Sequence, residues 1–191
     1  MDKAALRKSV MSQLHKLSQQ EHAERSAMIS TKLLEDPAFQ AAKTVGLTIS
    51  RHPEVNTVPL LEWCWRLGKR VAVPKCDAQN RTMEFRILES MDQLETVYMD
   101  LQEPIEETTE AIDAEQIDLL IVPGVVFMES GYRIGFGGGY YDRYLAGYRG
   151  VTRSLAFDFQ LVESVPVENH DIPVEGIITE KRTIDTEVVR R

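Results

Sequence analysis

Apolar residues recur at helical spacing in the first part of the chain and gather in short unbroken runs after it. Leu6, Val10, Leu14 and Leu17 fall on one face of a helix that Asp2 can cap. Ser18-Gln-Gln-Glu21 is a capping-box pattern and predicts a second helix to about Leu34. Asp36-Pro37 starts a short third helix with proline at its first position. Residues 44–49 read as a buried strand, 58–67 as a helix stopped by Gly68, and 69–73 as a strand ended by Pro74. Residues 83–88 alternate apolar and polar side chains and predict a half-exposed strand. Further strands are expected at 117–122, 152–157 and 176–179, the last of these closing the pattern, and a helix opens at 140–145. Strands alternating with helices predict a single α/β domain over residues 1–191. It would be a layered sandwich with a mostly parallel or mixed central sheet and helices on both faces.

One stretch breaks this regularity. Five of the eleven glycines fall between Gly131 and Gly139, between an apolar strand and a helix start. Glycines let the backbone take positive φ and approach a ligand closely, and exposed N–H groups favour an anion. The common phosphate fingerprints are absent: there is no GxxxxGK[ST], and Gly135-Phe-Gly137 is followed by Gly139, one residue short of the dinucleotide spacing. A flexible turn is the plain alternative. What favours an anion site is the company: Arg133 before the glycines, and Tyr140-Tyr141-Asp142-Arg143 after them. Asp142 is placed where a hard cation could bridge it to phosphate oxygens.

Charge sharpens the picture. The net charge of −8 hides a segment, residues 87–132, with twelve acidic and no basic side chains; the remainder carries 22 bases against 18 acids. Residues 100–116 read as an acidic surface connection and not as part of a site. No closely spaced basic run offers a stripe for nucleic acid, which disfavours that partner. A compact anionic ligand suits the basic remainder better. Lys3, Arg7 and Lys8 lie in the first turns of the first helix, where cations oppose the helix dipole; a solvated face or a ligand are the competing reasons. No apolar run approaches a membrane span, and MDKAALRKSV lacks the apolar core of a secretion signal. Cys64 and Cys76 form no metal-type pair. Together these predict a cytoplasmic protein, and a monomer, since no repeated apolar interface is visible. His15, His22 and His170 lack zinc-site spacing and read as surface residues. Residues 50–54 follow the first strand, where ligands collect in open α/β sheets, and make Glu54 a candidate. Lys75 follows the second strand and is a candidate phosphate contact on position alone.

The run Val122-Pro-Gly-Val-Val-Phe127, then Gly131-Tyr-Arg-Ile-Gly135-Phe-Gly-Gly-Gly-Tyr140-Tyr-Asp-Arg143, resembles the signature of the 5-formyltetrahydrofolate cyclo-ligase family. Lys3-Ala-Ala-Leu-Arg7, His52-Pro-Glu54 and the segment 165–171 resemble further family elements in the same order. Met128 departs where an acidic residue is expected, and Phe136 where a polar residue or Tyr is common. The resemblance implies an enzyme that uses ATP and Mg²⁺ to convert 5-formyltetrahydrofolate to 5,10-methenyltetrahydrofolate, releasing ADP and phosphate. By resemblance, Lys3 and Arg7 face the ATP phosphates, and Arg133, Ile134, Gly135, Phe136, Gly137, Gly138, Gly139, Tyr140 and Tyr141 cradle them. Residues 136–140 also border the folate, Glu54 hydrogen-bonds the pterin, and Ile49 lines its slot. Asp142 and Asp171 would hold the metal. A nucleotide- or folate-binding protein without turnover would use the same loop. An isomerase or CoA-transferase-like enzyme is suggested by fold analogy only.

Overall fold

The computed structural model describes residues 1–188; Val189 to Arg191, the end of the expected domain, lie outside the described residues. Three capped helices open the chain. In α1 (Lys3–Lys16), the Asp2 carboxylate accepts the Ala5 N–H at 2.7 Å. In α2 (Gln19–Glu35), Ser18 and Glu21 form the expected capping box. In α3 (Pro37–Ala41), Asp36 caps Ala38 with one oxygen and binds Arg153 with the other. Each cap satisfies an otherwise orphaned N–H and is worth ~1 kcal/mol. Then follow β1 (Thr44–Gly46), α4 (Val58–Arg66), β2 (Arg70–Asp77), β3 (Thr82–Leu88), β4 (Leu94–Tyr98), β5 (Leu101–Pro104), β6 (Glu110–Ile112), β7 (Leu119–Ile121), β8 (Val126–Phe127), β9 (Arg133–Ile134), α5 (Tyr140–Ala146), β10 (Val151–Leu155), β11 (Gly176–Ile178) and β12 (Thr183–Asp185).

Among the described residues, eight strands form one sheet in the order β12-β11-β10-β7-β1-β2-β3-β6. The five from β11 to β2 are parallel; β12, β3 and β6 are antiparallel additions. Alternation along the strands divides the core. Val71 and Val73 of β2, with Leu119 and Ile121 of β7, pack on the side covered by α1 to α4. Ala72 and Leu120 face the opposite side, with Leu145 of α5 and Tyr148. Helices therefore cover both faces, four on one and α5 on the other.

Several expectations are corrected. β2 does not end at Pro74 but runs on to Asp77, pairing Pro74 with Phe85 of β3. β1 accompanies β2 only as far as Ala72, so Pro74 sits where no neighbour needs its missing N–H. β3 is buried from Phe85 to Leu88, not half-exposed, because β6 covers its outer edge. Residues 100–116 are not a bare surface connection: they supply β5 and β6. Within that stretch, the carbonyls of Glu106 and Thr109 accept from the buried Arg86. Residues 176–179 are not the last strand, since β12 pairs beyond them. The glycine-rich stretch holds a hairpin, β8 with β9, turning at Gly131. That glycine has φ +98°, and a Cβ there would meet the Val174 carbonyl.

Candidate functional site

From β1 the chain steps to β2 on one side and later, through β7, to β10 and β11 on the other. The ends of β1 and β7 thus form a switch point, where an open α/β sheet leaves a crevice. Two adjoining chambers fill it. The first, about 740 Å³, is largely apolar, with Met11, Leu14, Val55, Val58, Met99 and Leu155 on its walls. The second, about 440 Å³, is lined by Lys3, Arg7, the loop from Gly135 to Gly139, Asp142 and Asp171. Ile49, Glu54 and Phe136 border both and form the seam. Phe136 is 49% exposed there, an aromatic face open to a ligand.

Helix α1 runs along both chambers. Lys3 and Arg7 line the second, and Met11 and His15 the first. At 1.5 Å per residue, Lys3 and His15 stand about 18 Å apart along the axis. The Arg7 Nε donates to the Gly135 carbonyl at 2.8 Å and ties the helix to the loop. Lys3 donates to Asp171 at 3.1 Å and Glu168 at 3.2 Å. Partial burial works against its charge, but these two carboxylates outweigh it and raise the Lys3 pKa. Burial also works against the Asp171 carboxylate, yet the Glu168 N–H and Lys3 hold its pKa below the usual value. In the loop, Gly137 and Gly139 adopt φ of +105° and +71°, which turns the backbone outward before α5.

Arg133 is placed differently from a phosphate-facing cation. Its side chain is 4% exposed, and it donates to the carbonyls of Pro123 and Ile172 and to Asp142 Oδ1 at 3.2, 2.9 and 3.4 Å. Burial lowers its pKa, and Asp142 opposes that shift. It is a clasp that holds Asp142 at the chamber wall; Asp142 Oδ1 also accepts the Ile172 N–H at 3.1 Å. Glu54 accepts the Arg51 N–H at 2.8 Å, and burial raises its pKa against that hydrogen bond. The Tyr141 hydroxyl is buried with no partner among the described residues, and burial lifts its pKa well above the ordinary value. Tyr140 packs its ring over Gly138, and Ile134 is buried beneath the loop. Lys75 is not brought into the site. Its neighbours Pro74 and Cys76 line the second chamber, whereas its Nζ lies 3.6 Å from Glu95 and 3.9 Å from Glu103. Strand alternation turns it away, because β2 continues through Pro74.

The profile of the 5-formyltetrahydrofolate cyclo-ligase family matches residues 1–180. The chain belongs to this family. It is 33% identical over 167 residues to 5-formyltetrahydrofolate cyclo-ligase of Escherichia coli strain K12, covering 85% of this chain and 92% of that one. It is 28% identical over 189 residues to the Mus musculus protein of the same name, covering 93% of each. The NMR structure of Aquifex aeolicus 5,10-methenyltetrahydrofolate synthetase superposes with a TM-score of 0.87 at 32% identity, over 100% of this chain and 96% of that one.

In this family member, all the site residues anticipated from sequence line the second chamber except Lys75. Some lining residues were not anticipated. Met11 and His15 continue the four-residue spacing of Lys3 and Arg7, a signal present in the sequence. Gln102 and Glu103 reach the second chamber from the acidic segment, which nothing local announces. Cys76 also lines it. Burial, the largest effect at both thiols, pushes Cys64 and Cys76 up to about 11. Roughly one such thiol in three thousand is ionised at pH 7.5, so iodoacetamide is expected to leave the native protein unmodified for hours. Mass spectrometry showing a full equivalent bound within minutes would contradict this.

Proposed function

We propose that this chain uses ATP to close the ring of 5-formyltetrahydrofolate, giving 5,10-methenyltetrahydrofolate, ADP and phosphate. The observation that carries the mechanism is the seam: an apolar chamber suited to a pterin and its aryl group meets a chamber of cations and backbone amides suited to phosphates. A formyl oxygen on N5 is a poor leaving group. At the seam it can take the γ-phosphoryl group, giving an imino-phosphate. N10 then attacks the carbon and loses its proton; the C–O bond breaks, and the oxygen departs with phosphate. Phosphoryl transfer depends mostly on positioning and neutralised charge. Lys3 and Arg7 supply the cations, with the loop from Ile134 to Tyr141 as the cradle and Arg133 holding Asp142 behind it. Glu54 orients the pterin and Ile49 lines its slot, while Phe136 covers the seam.

The donors present fit Mg²⁺. Asp142 commits Oδ1 to Arg133 and Ile172, and Asp171 commits Oδ2 to Lys3 and the Glu168 N–H. Asp142 keeps its other oxygen, and that of Asp171 lies 3.5 Å from His170 Nε2, which would have to yield it to the metal; hard oxygen donors completed by water and phosphate suit this ion. When bound, Mg²⁺ would neutralise charge on the phosphates. Lys3, Arg7 and Arg51 meet at the second chamber, which suits a compact anion, and we read the partners as ATP and the folate, without nucleic acid. No helix among the described residues is long and apolar enough to cross a membrane. With its two free thiols, we place it in the cytoplasm, as a single-domain monomer.

The test is isotopic. With ¹⁸O in the formyl group, the phosphate released is expected to carry the label, one per ring closed; unlabelled phosphate would contradict the phosphorylated intermediate. Arg7→Ala is expected to raise KM for ATP about tenfold, the loss of one charge-assisted contact, and KM for folate far less. Equal rises in steady-state assays would remove Arg7 from the phosphates.

A further inference from the structure

Glu168, Asn169, His170 and Asp171 form a tight turn in the loop before β11. The Asp171 N–H donates to the Glu168 carbonyl at 3.0 Å, and the Glu168 N–H donates to Asp171 Oδ2 at 2.8 Å. The turn gathers three ligand-type side chains, whose donor atoms lie within 4.8 Å of one another. His170 Nε2 is 3.2 Å from Glu168 Oε2 and 3.5 Å from Asp171 Oδ1. A tetrahedral ion with nitrogen and oxygen ligands at about 2.0–2.2 Å holds them about 3.3–3.6 Å apart. Two of the three pairs already stand near that separation. The histidines' own spacing does not announce the group, because two of its members are carboxylates.

We propose that Glu168, His170 and Asp171 form an exchangeable site for a divalent transition ion such as zinc, and that an ion held there inhibits the enzyme. The donor set selects the ion: an imidazole beside carboxylates suits Zn²⁺, whereas Mg²⁺ prefers oxygen donors and water. The site is open on one side. The His170 and Glu168 side chains are exposed, so an ion enters from solvent and keeps water in its remaining position. Lys3 lies on the other side, 3.1 Å from Asp171 Oδ2 and 3.2 Å from Glu168 Oε2. This ammonium shows that the two acids already hold a cation. Its charge also opposes a second one, so the ion is held less firmly than in a closed structural zinc site. Inhibition follows from the shared ligand. Asp171 Oδ2 is committed to Lys3 and the Glu168 N–H, so Oδ1 is the oxygen that both ions need. Zinc on the triad takes it from Mg²⁺. The inhibition rests on the Mg²⁺ reading above; the binding does not.

Calorimetric titration of zinc chloride into the full chain, with neither ATP nor folate present, tests the site. One ion per chain is expected. His170→Ala should weaken it about a hundredfold, the upper end of what losing even an outer-shell partner costs, and His52→Ala should leave it unchanged. No binding by the parent, or equal binding by His170→Ala, would overturn the site. The turnover assay then tests the inhibition. Zinc should inhibit the parent, raised Mg²⁺ should relieve it, and His170→Ala should need about a hundred times more zinc for the same loss. Binding without inhibition, or inhibition that Mg²⁺ does not relieve, would overturn the sharing of Asp171. A chain that binds zinc as expected but closes no folate ring would keep the site and remove the reaction.

Discussion

Asp142→Asn is expected to lower turnover by two to three orders of magnitude, about 3–4 kcal/mol of transition-state stabilisation, in a protein that still folds. Asparagine keeps the size and the Oδ1 acceptor that receives the Ile172 N–H and faces Arg133. It loses the negative charge that the proposed metal site needs. The defect should appear in kcat and in the Mg²⁺ concentration required, with the circular dichroism spectrum unchanged. Turnover within threefold of the parent at the same Mg²⁺ requirement would remove Asp142 from the chemistry. Alanine is the poorer probe, since it leaves the enclosed Arg133 without its anion.

Arg133→Ala should have the largest effect on stability, a loss of about 3–5 kcal/mol. The guanidinium joins the Pro123 carbonyl after β7, the Ile172 carbonyl of the C-terminal loop and Asp142 of α5. Removing it leaves a carboxylate and two carbonyls short of donors in an enclosed place. Urea unfolding should report the loss as a lower midpoint. Arg133→Lys should recover only part of it, because a single ammonium cannot span three acceptors arranged for a planar fork. A change below about 1 kcal/mol would mean that water replaces the clasp without cost.

What the sequence disclosed depended on how far apart the interacting residues lie. The caps at Asp2, Ser18 with Glu21, and Asp36 with Pro37 are local, and each appears where the pattern places it. The glycine loop was legible as irregular backbone with Arg133 and Asp142 beside it, and the family resemblance added Ile49 and Asp171. Lys75 was misplaced because the side it faces depends on β2 continuing through Pro74, which in turn depends on where β1 stops. The approach of β4 and β5 to the site was hidden for a similar reason. It rests on Lys75 with Glu95 and Glu103, and on Arg51 donating to the Met99 carbonyl, contacts between residues far apart in the chain. Arg133 read as a cation beside a phosphate loop; only the folded chain brings the Ile172 carbonyl to it. The stripe of Lys3, Arg7, Met11 and His15 was available from spacing alone. It was obscured by the neighbouring apolar stripe, which packs α1 on the core.

The most direct test of the central claim, that the two chambers couple ATP to closure of a folate ring, is absorbance at the methenyl-folate band. Protein, 5-formyltetrahydrofolate and Mg²⁺ are mixed with and without ATP. A rise that requires ATP and ends with one ADP per methenyl group formed is the predicted result. No rise in a folded protein that still binds ATP would contradict the claim and leave a binding protein in its place.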